Sequence, residues 1–138
     1  MKSLDTNILV RYYAQDDPDQ SVTATHIFST EPDLFVPKTV LVEFWWVLTR
    51  AEKFSFAPVK VVSVLEHLSG LPNISLEDEK TVIQAISWCH SGLEFPDALH
   101  LASSSQCEIM LTFDDHKFAR RANRLGLQPI CQIPAKAV

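Results

Sequence analysis

Met1-Lys2-Ser3-Leu4-Asp5-Thr6-Asn7-Ile8-Leu9 opens the chain with a short stretch ending in an apolar residue, a single acid, and then the first apolar pair of a helical pattern. Read as strand, junction and helix, this places Asp5 at the carboxyl end of a strand, the edge where ligands bind in open α/β sheets. An N-cap accounts for the same residue equally well, because a carboxylate there accepts a backbone N–H bond. Near the other end, Ile109-Met110-Leu111-Thr112-Phe113-Asp114-Asp115 repeats the arrangement, with Asp114 closing an apolar run where a helix begins.

Between these ends the pattern alternates. Short apolar runs at Met1 to Leu4, Leu34 to Val36, Ile74 to Leu76, Ile109 to Thr112 and Pro129 to Ile130 read as strands, and the longer segments between them carry helical periodicity. Strands alternating with helices imply a parallel sheet covered on both faces. Val61, Val64, Leu65 and Leu68 follow helical spacing, with Gly70 where a left-handed cap is expected. Ser75 and Asp78 have the spacing of a capping box ahead of a Val82, Ile83 and Ile86 stripe that stops before Gly92. Phe118, Ala122 and Leu125 form a narrower stripe ending at Gly126. Asp17-Pro18 predicts a capped helix with proline in its first turn, running through Ile27 and Phe28.

A chain of 138 residues, 46% hydrophobic, has the size of one globular domain, so residues 1–138 are expected to form one domain. Its 17 acidic and 12 basic residues leave a formal net charge of -5, which excludes binding of nucleic acid by bulk positive charge alone. Contact with nucleic acid would have to be local or metal-assisted. Cys89, Cys107 and Cys131 are odd in number and widely spaced, which argues for buried reduced thiols rather than a disulfide framework or a zinc motif. The first residues reach a charge too soon for a secretory signal, and no stretch approaches the length of a membrane span. The expectation is a cytoplasmic protein.

The informative acids interrupt apolar segments. Glu43 lies in Val40-Leu41-Val42-Glu43-Phe44-Trp45-Trp46-Val47-Leu48, with Thr39, Val40, Trp46 and Val47 as its helical neighbours. A glutamate buried there would need a partner or a cation; a partly exposed helix would let it point to water. Asp97, in Phe95-Pro96-Asp97-Ala98-Leu99-His100-Leu101-Ala102, occupies a helical first turn, where the helix dipole also favours negative charge. Several carboxylates brought together would take up protons or require a cation. Oxygen ligands without a cysteine or histidine set favour Mg²⁺ or Mn²⁺, and phosphodiester hydrolysis is the reaction such a site suits best.

Four stretches, in order, resemble the PIN domain family and, within it, the VapC-type toxins of bacterial toxin–antitoxin pairs. They are Leu4-Asp5-Thr6-Asn7, Val42-Glu43-Phe44, Pro96-Asp97-Ala98-Leu99-His100-Leu101-Ala102, and Leu111-Thr112-Phe113-Asp114 followed by Phe118-Ala119-Arg120. The resemblance implies a three-layer α/β/α fold with a five-stranded parallel sheet and Mg²⁺- or Mn²⁺-dependent endoribonuclease activity. It also implies a small cognate antitoxin and a homodimer. Asp5, Glu43 and Asp97 would be metal ligands, with Asp114 completing the acidic set and Thr6 and Thr112 as polar supports. The family's last motif has phenylalanine three residues after the acid, whereas Phe118 is four after Asp114 and three after Asp115. Alignment on Thr112 selects Asp114, and alignment on Phe118 selects Asp115; strand direction favours Asp114.

Asn7 and Arg11 follow the first acid, and Lys117, Arg120, Arg121 and Arg124 recur at helical spacing after the last. The four cations after the last acid form either a phosphate-tracking stripe or a solvated face, and Arg11 has the same two readings. His100 and His116 sit near acids but are more simply structural, and Trp45 and Trp46 suit a core or a subunit interface better than base stacking. Two other classes fit the residues less well. A receiver-type signalling domain would want a second acid after the first strand and a lysine after the last, and this chain has neither in place. A PIN-like module that only binds a partner would not need to keep all four acids.

Overall fold

A computed structural model of the protein describes residues 1–137. Among them are five strands, all paired in parallel, with helices between, as expected for the α/β class. The described residues fall into two compact units, Met1–Glu79 and the chain from Lys80 onward.

The first unit contains β1 (Lys2–Ser3), α1 (Thr6–Ala14), α2 (Pro18–Thr30), β2 (Leu34–Val36), α3 (Lys38–Arg50), α4 (Pro58–Ser69) and β3 (Ile74–Leu76). Its strands pair in the order β1-β2-β3, with Lys2 opposite Leu34 and Leu34 opposite Ile74. Leu34, Val36, Ile74 and Leu76 are buried, and Leu4 extends the pairing by donating its N–H to the Phe35 carbonyl at 2.9 Å. Helix α2 starts as expected, with the Asp17 carboxylate accepting from the Asp19 and Gln20 amides and Pro18 in the first turn. Helix α3 has only Pro37 at its N-cap, so its first free amide is met from outside: Glu77 Oε1 accepts the Lys38 N–H at 2.8 Å. The buried stripe of α3 is Leu41, Phe44, Trp45 and Leu48, at helical spacing. Asn73 donates to the carbonyls of Phe28 and Glu31, both at 2.9 Å, tying the end of α2 to the entry of β3.

The second unit contains most of α5 (Glu79–Cys89), then α6 (Phe95–Ala102), β4 (Ile109–Leu111), a π-helical turn (Asp115–Ala119), α7 (Arg120–Arg124) and β5 (Ile130–Gln132). Strands β4 and β5 pair with Met110 opposite Cys131. Asn123 clamps β5 from α7: its amide donates to the Cys131 carbonyl at 2.8 Å, and its oxygen accepts the Cys131 N–H at 2.9 Å. Ile109, Leu111 and Ile130 stay exposed. The alternate residue Cys131 is the one turned inward.

Several local expectations need correction. Gly70 ends α4 with φ -92°, a right-handed conformation, and its N–H reaches back to the Glu66, His67 and Leu68 carbonyls. Ser75 pairs with Phe35 inside β3 and so cannot cap α5; the turn into that helix is made by Asp78 at φ 51°. Gly92 and Gly126 do occupy positive φ, at 104° and 71°, where a side chain would be strained. Cys89 and Cys131 are buried and free, whereas Cys107 is exposed. Leu125 is exposed beyond the buried Phe118 and Ala122. No helix among the described residues is long and apolar enough to cross a membrane.

Helix α5 buries Val82, Ala85, Ile86 and Cys89, which turns Ile83 outward. Ile86 is 5% exposed and Ile83 is 49% exposed. We expect Ile86→Ala to lower unfolding stability by about 2–5 kcal/mol, and Ile83→Ala to lower it by less than about 1 kcal/mol. Urea titration of the two variants checks the assignment of the buried face, and equal losses would contradict it.

Candidate active site

In the first unit, the junction between β1 and α1 presents Asp5 as the N-cap of α1. Its backbone is extended, and its Oδ1 accepts the Thr6 N–H at 2.7 Å. Capping thus explains how Asp5 is held, and it occupies one carboxylate oxygen. Asp5 and Glu43 line the same cavity, about 390 Å³ in volume, together with Thr6, Asn7, Lys53 and Phe54. Glu43 is exposed. The idea of an acid buried in an apolar helix is therefore corrected: α3 buries the Leu41–Leu48 stripe, and Glu43 lies off it with half-buried Val40, Trp46 and Val47 beside it. Thr6 is only 6% exposed, and its Oγ1 has no hydrogen-bond partner. Leaving such a hydroxyl unsatisfied costs about 1–3 kcal/mol.

Arg11 reaches the same cavity, but its guanidinium is committed elsewhere. It donates to Gln20 Oε1 at 2.7 Å and pairs with Asp16 at 3.0 Å. Lys53 also pairs with Asp16, at 2.5 Å. Sequence patterns single out neither Lys53 nor Asp16, because both lie in turns without periodicity and meet only through folding.

In the second unit, Pro96 opens α6 and puts Asp97 in its first turn. Asp97 is half-buried. Burial pushes its carboxyl above the ordinary range, the charges of Glu94 and Asp114 push it further, and His100 partly offsets them. The effect of Asp114 on Asp97 places these two acids in one electrostatic neighbourhood. Cys131 belongs to it as well, since burial and then the charge of Asp97 push its thiol upward. Glu94, immediately before α6, is an acid that the motif reading passed over.

Asp114 caps the π-helical turn. Its Oδ1 accepts the Lys117 N–H at 3.1 Å, and its own N–H is held by Thr112 Oγ1 at 3.0 Å. The one-residue discrepancy around Phe118 has a structural cause. The Ala119 N–H bonds to the Asp114 carbonyl, five residues back, at 3.0 Å, and this wider turn absorbs the extra residue while Phe118 stays buried. Asp115 is instead paired with Arg120 at 2.9 Å. The turn also breaks the cationic stripe: Lys117 lies within it, Arg120 is held by Asp115, and Arg121 donates to the Gly92 carbonyl at 2.8 Å.

Among the described residues, Asp5, Glu43, Asp97 and Asp114 form no ion pair with a lysine or arginine, whereas Asp16, Glu31, Asp78 and Asp115 do. Among the described residues, no group of three or more acids, histidines or cysteines is assembled as a complete metal cage. The donor chemistry nonetheless suits a hard divalent cation: Asp5 and Glu43 share a cavity with an orphaned threonine hydroxyl, and Asp97 and Asp114 repel one another.

The raised Asp97 carboxyl has a consequence for stability. With its folded-state value above the unfolded one, the native state is penalised as pH rises through that interval, and the penalty is complete above the folded value. In chelator-treated protein we expect Asp97→Asn to raise the thermal midpoint at pH 7. The gain should vanish near pH 3, below the ordinary aspartate value of about 3.9. A native protein as stable as the variant at pH 7 would contradict the assigned environment.

Comparison with known proteins places the chain. No curated protein matches it. Among solved structures, it is similar to the crystal structure of Mycobacterium tuberculosis VapC20, described as a sarcin–ricin-loop-cleaving toxin. The identity is 20%, over 94% of this chain and 98% of that one, with a TM-score of 0.41. A likeness at that level bears on neither substrate nor mechanism. The PIN domain family matches residues 3–124, which takes in both strand–helix junctions, α3 and α6. The chain belongs to the PIN domain family.

Proposed function

We propose that this protein is a divalent-metal-dependent endoribonuclease that hydrolyses RNA phosphodiester bonds, acting as the VapC-type toxin of a toxin–antitoxin pair. Residues 1–138 then make a single PIN domain, and the family match over 3–124 supports that extent. The observation that carries the reading is the grouping of the acids within a chain of the PIN family: Asp5 and Glu43 line one cavity, and Asp97 lies in the field of Asp114. An unpaired, partly desolvated carboxylate such as Asp97 is costly for stability, and selection for a cation site is a physical reason to keep it.

In this reading Asp5, Glu43, Asp97 and Asp114 are the ligands of Mg²⁺ or Mn²⁺. What the ion supplies when bound is neutralisation of charge on a phosphoryl oxygen and a lower pKa for attacking water. The chain's own residues do the positioning. The Thr6 amide fixes one oxygen of Asp5 and leaves the other for a ligand. Thr112 holds the Asp114 backbone, so that this acid is aimed by a rigid turn rather than by a mobile side chain. Asn7 and Arg11 line the Asp5–Glu43 cavity, and Lys117 and Arg120 flank Asp114 and Asp115; these are the supporting, substrate-facing residues. A small cognate antitoxin, a homodimeric state and a cytoplasmic location complete the proposal by analogy with VapC-type toxins.

Purified protein, freed of any co-purifying partner, is incubated with a panel of structured RNAs with and without Mn²⁺, alongside Asp97→Asn and Glu43→Gln. The expected result is cleavage by the native chain only with metal, and a loss of about a hundredfold or more in each variant. Equal cleavage by native protein and variants would indicate a contaminating nuclease. No cleavage of any RNA with metal present would favour a PIN module that only binds a partner.

A further inference from the structure

We propose that Lys53 and Phe54, on the segment joining α3 to α4, form a single-stranded nucleotide subsite at the mouth of the Asp5–Glu43 cavity. In it Lys53 engages a phosphate, Phe54 stacks on a base, and Asp16 positions the lysine. The proposal rests on the ribonuclease reading and names where that substrate is held.

Both residues line the cavity that holds Asp5 and Glu43. A phosphodiester brought toward two unpaired carboxylates needs positive charge at the rim, and the 59%-exposed Lys53 supplies an ammonium there. Its position is constrained. Asp16, 11% exposed, takes Lys53 at 2.5 Å and Arg11 at 3.0 Å, so two cations share one anion and a net positive charge remains. The hydrogen bond from Lys53 holds the Asp16 carboxyl below the ordinary range, so Asp16 stays charged wherever RNA is stable.

Phe54 completes a nucleotide-sized pairing of ring and cation. It is half-exposed, its ring centroid lies 5.4 Å from Lys53 Nζ, and Phe56 packs against it at 5.7 Å. Aromatic rings beside basic side chains are the common means of holding unpaired bases and their phosphates. The loop is also preorganised. The Phe54 and Ser55 amides both donate to the Ala51 carbonyl at 2.9 Å, the Phe56 amide donates to the Leu48 carbonyl at 2.8 Å, and Ser55 turns the chain at φ 45°. A loop tied back to its own helix loses little freedom when a ligand arrives.

The test compares native protein with Lys53→Met, Lys53→Arg, Phe54→Ala and Asp16→Asn. It measures RNA cleavage where present, and binding of an oligoribonucleotide and its abasic counterpart across a salt series, with Ca²⁺ in place of Mg²⁺ and the bound oligonucleotide checked to be intact. Lys53→Met should raise KM and Kd about tenfold with kcat nearly unchanged, and should reduce the slope of log Kd against log salt by about 0.7. Lys53→Arg should restore both. Phe54→Ala should weaken binding of the intact oligonucleotide about tenfold while leaving the abasic one unaffected. Asp16→Asn should raise KM in the native background and add nothing to Lys53→Met, a coupling that a purely structural role would not produce. Native cleavage with unchanged KM, Kd and salt slope in Lys53→Met and Phe54→Ala would overturn the subsite and leave the ribonuclease reading standing. Binding that depends on both residues, in a protein that cleaves nothing, would support the subsite and refute the catalytic reading. A native chain that binds no oligonucleotide would end both.

Discussion

A carboxylate at the junction between a strand and the following helical turn can be held by the backbone amides of that turn and needs no basic neighbour to fix it. Asp5 and Asp114 are both held in this way, one by the Thr6 amide and the other by the Lys117 amide. Everything proposed about this protein depends on that arrangement. Each of these acids is anchored through one carboxylate oxygen by a backbone amide, without lysine or arginine. The strands order the junctions, and the caps order the acids.

The two other acids are stabilised differently. Glu43 sits on a face of α3 that the packing of Leu41, Phe44, Trp45 and Leu48 leaves open. Asp97 lies in the first turn of α6, where helix dipole and proline geometry favour it, yet burial and the nearby charges of Glu94 and Asp114 oppose its ionisation. Such opposition is common where a group is retained for chemistry rather than for stability. With a net charge of -5, the chain as a whole would repel a polyanion, so any attraction for one has to come from local cations or a bound metal.

The family match runs from residue 3 to residue 124 and contains all four acids. The π-helical turn after Asp114 shows how a departure from the family's spacing is absorbed: one residue more, one wider turn, and Phe118 still buried. Asp115 is drawn off by Arg120, which leaves Asp114 as the acid felt at Asp97.

Much of this was legible in the chain itself. Strands Leu34–Val36 and Ile74–Leu76, the Asp17-Pro18 cap and the helix stops ahead of Gly92 and Gly126 follow from runs and residues whose preferences are local. The acids stood out because they interrupt apolar segments. Tertiary structure alone decided which face of α3 Glu43 occupies, that Ser75 belongs to a strand, that Ile83 turns outward, and that Asp16 gathers Arg11 and Lys53 beside the Asp5 cavity. A cap or a turn is set by a few bonds between neighbours in the chain, whereas burial and ion pairing depend on which surfaces meet after the chain has closed on itself, and no local spacing encodes that.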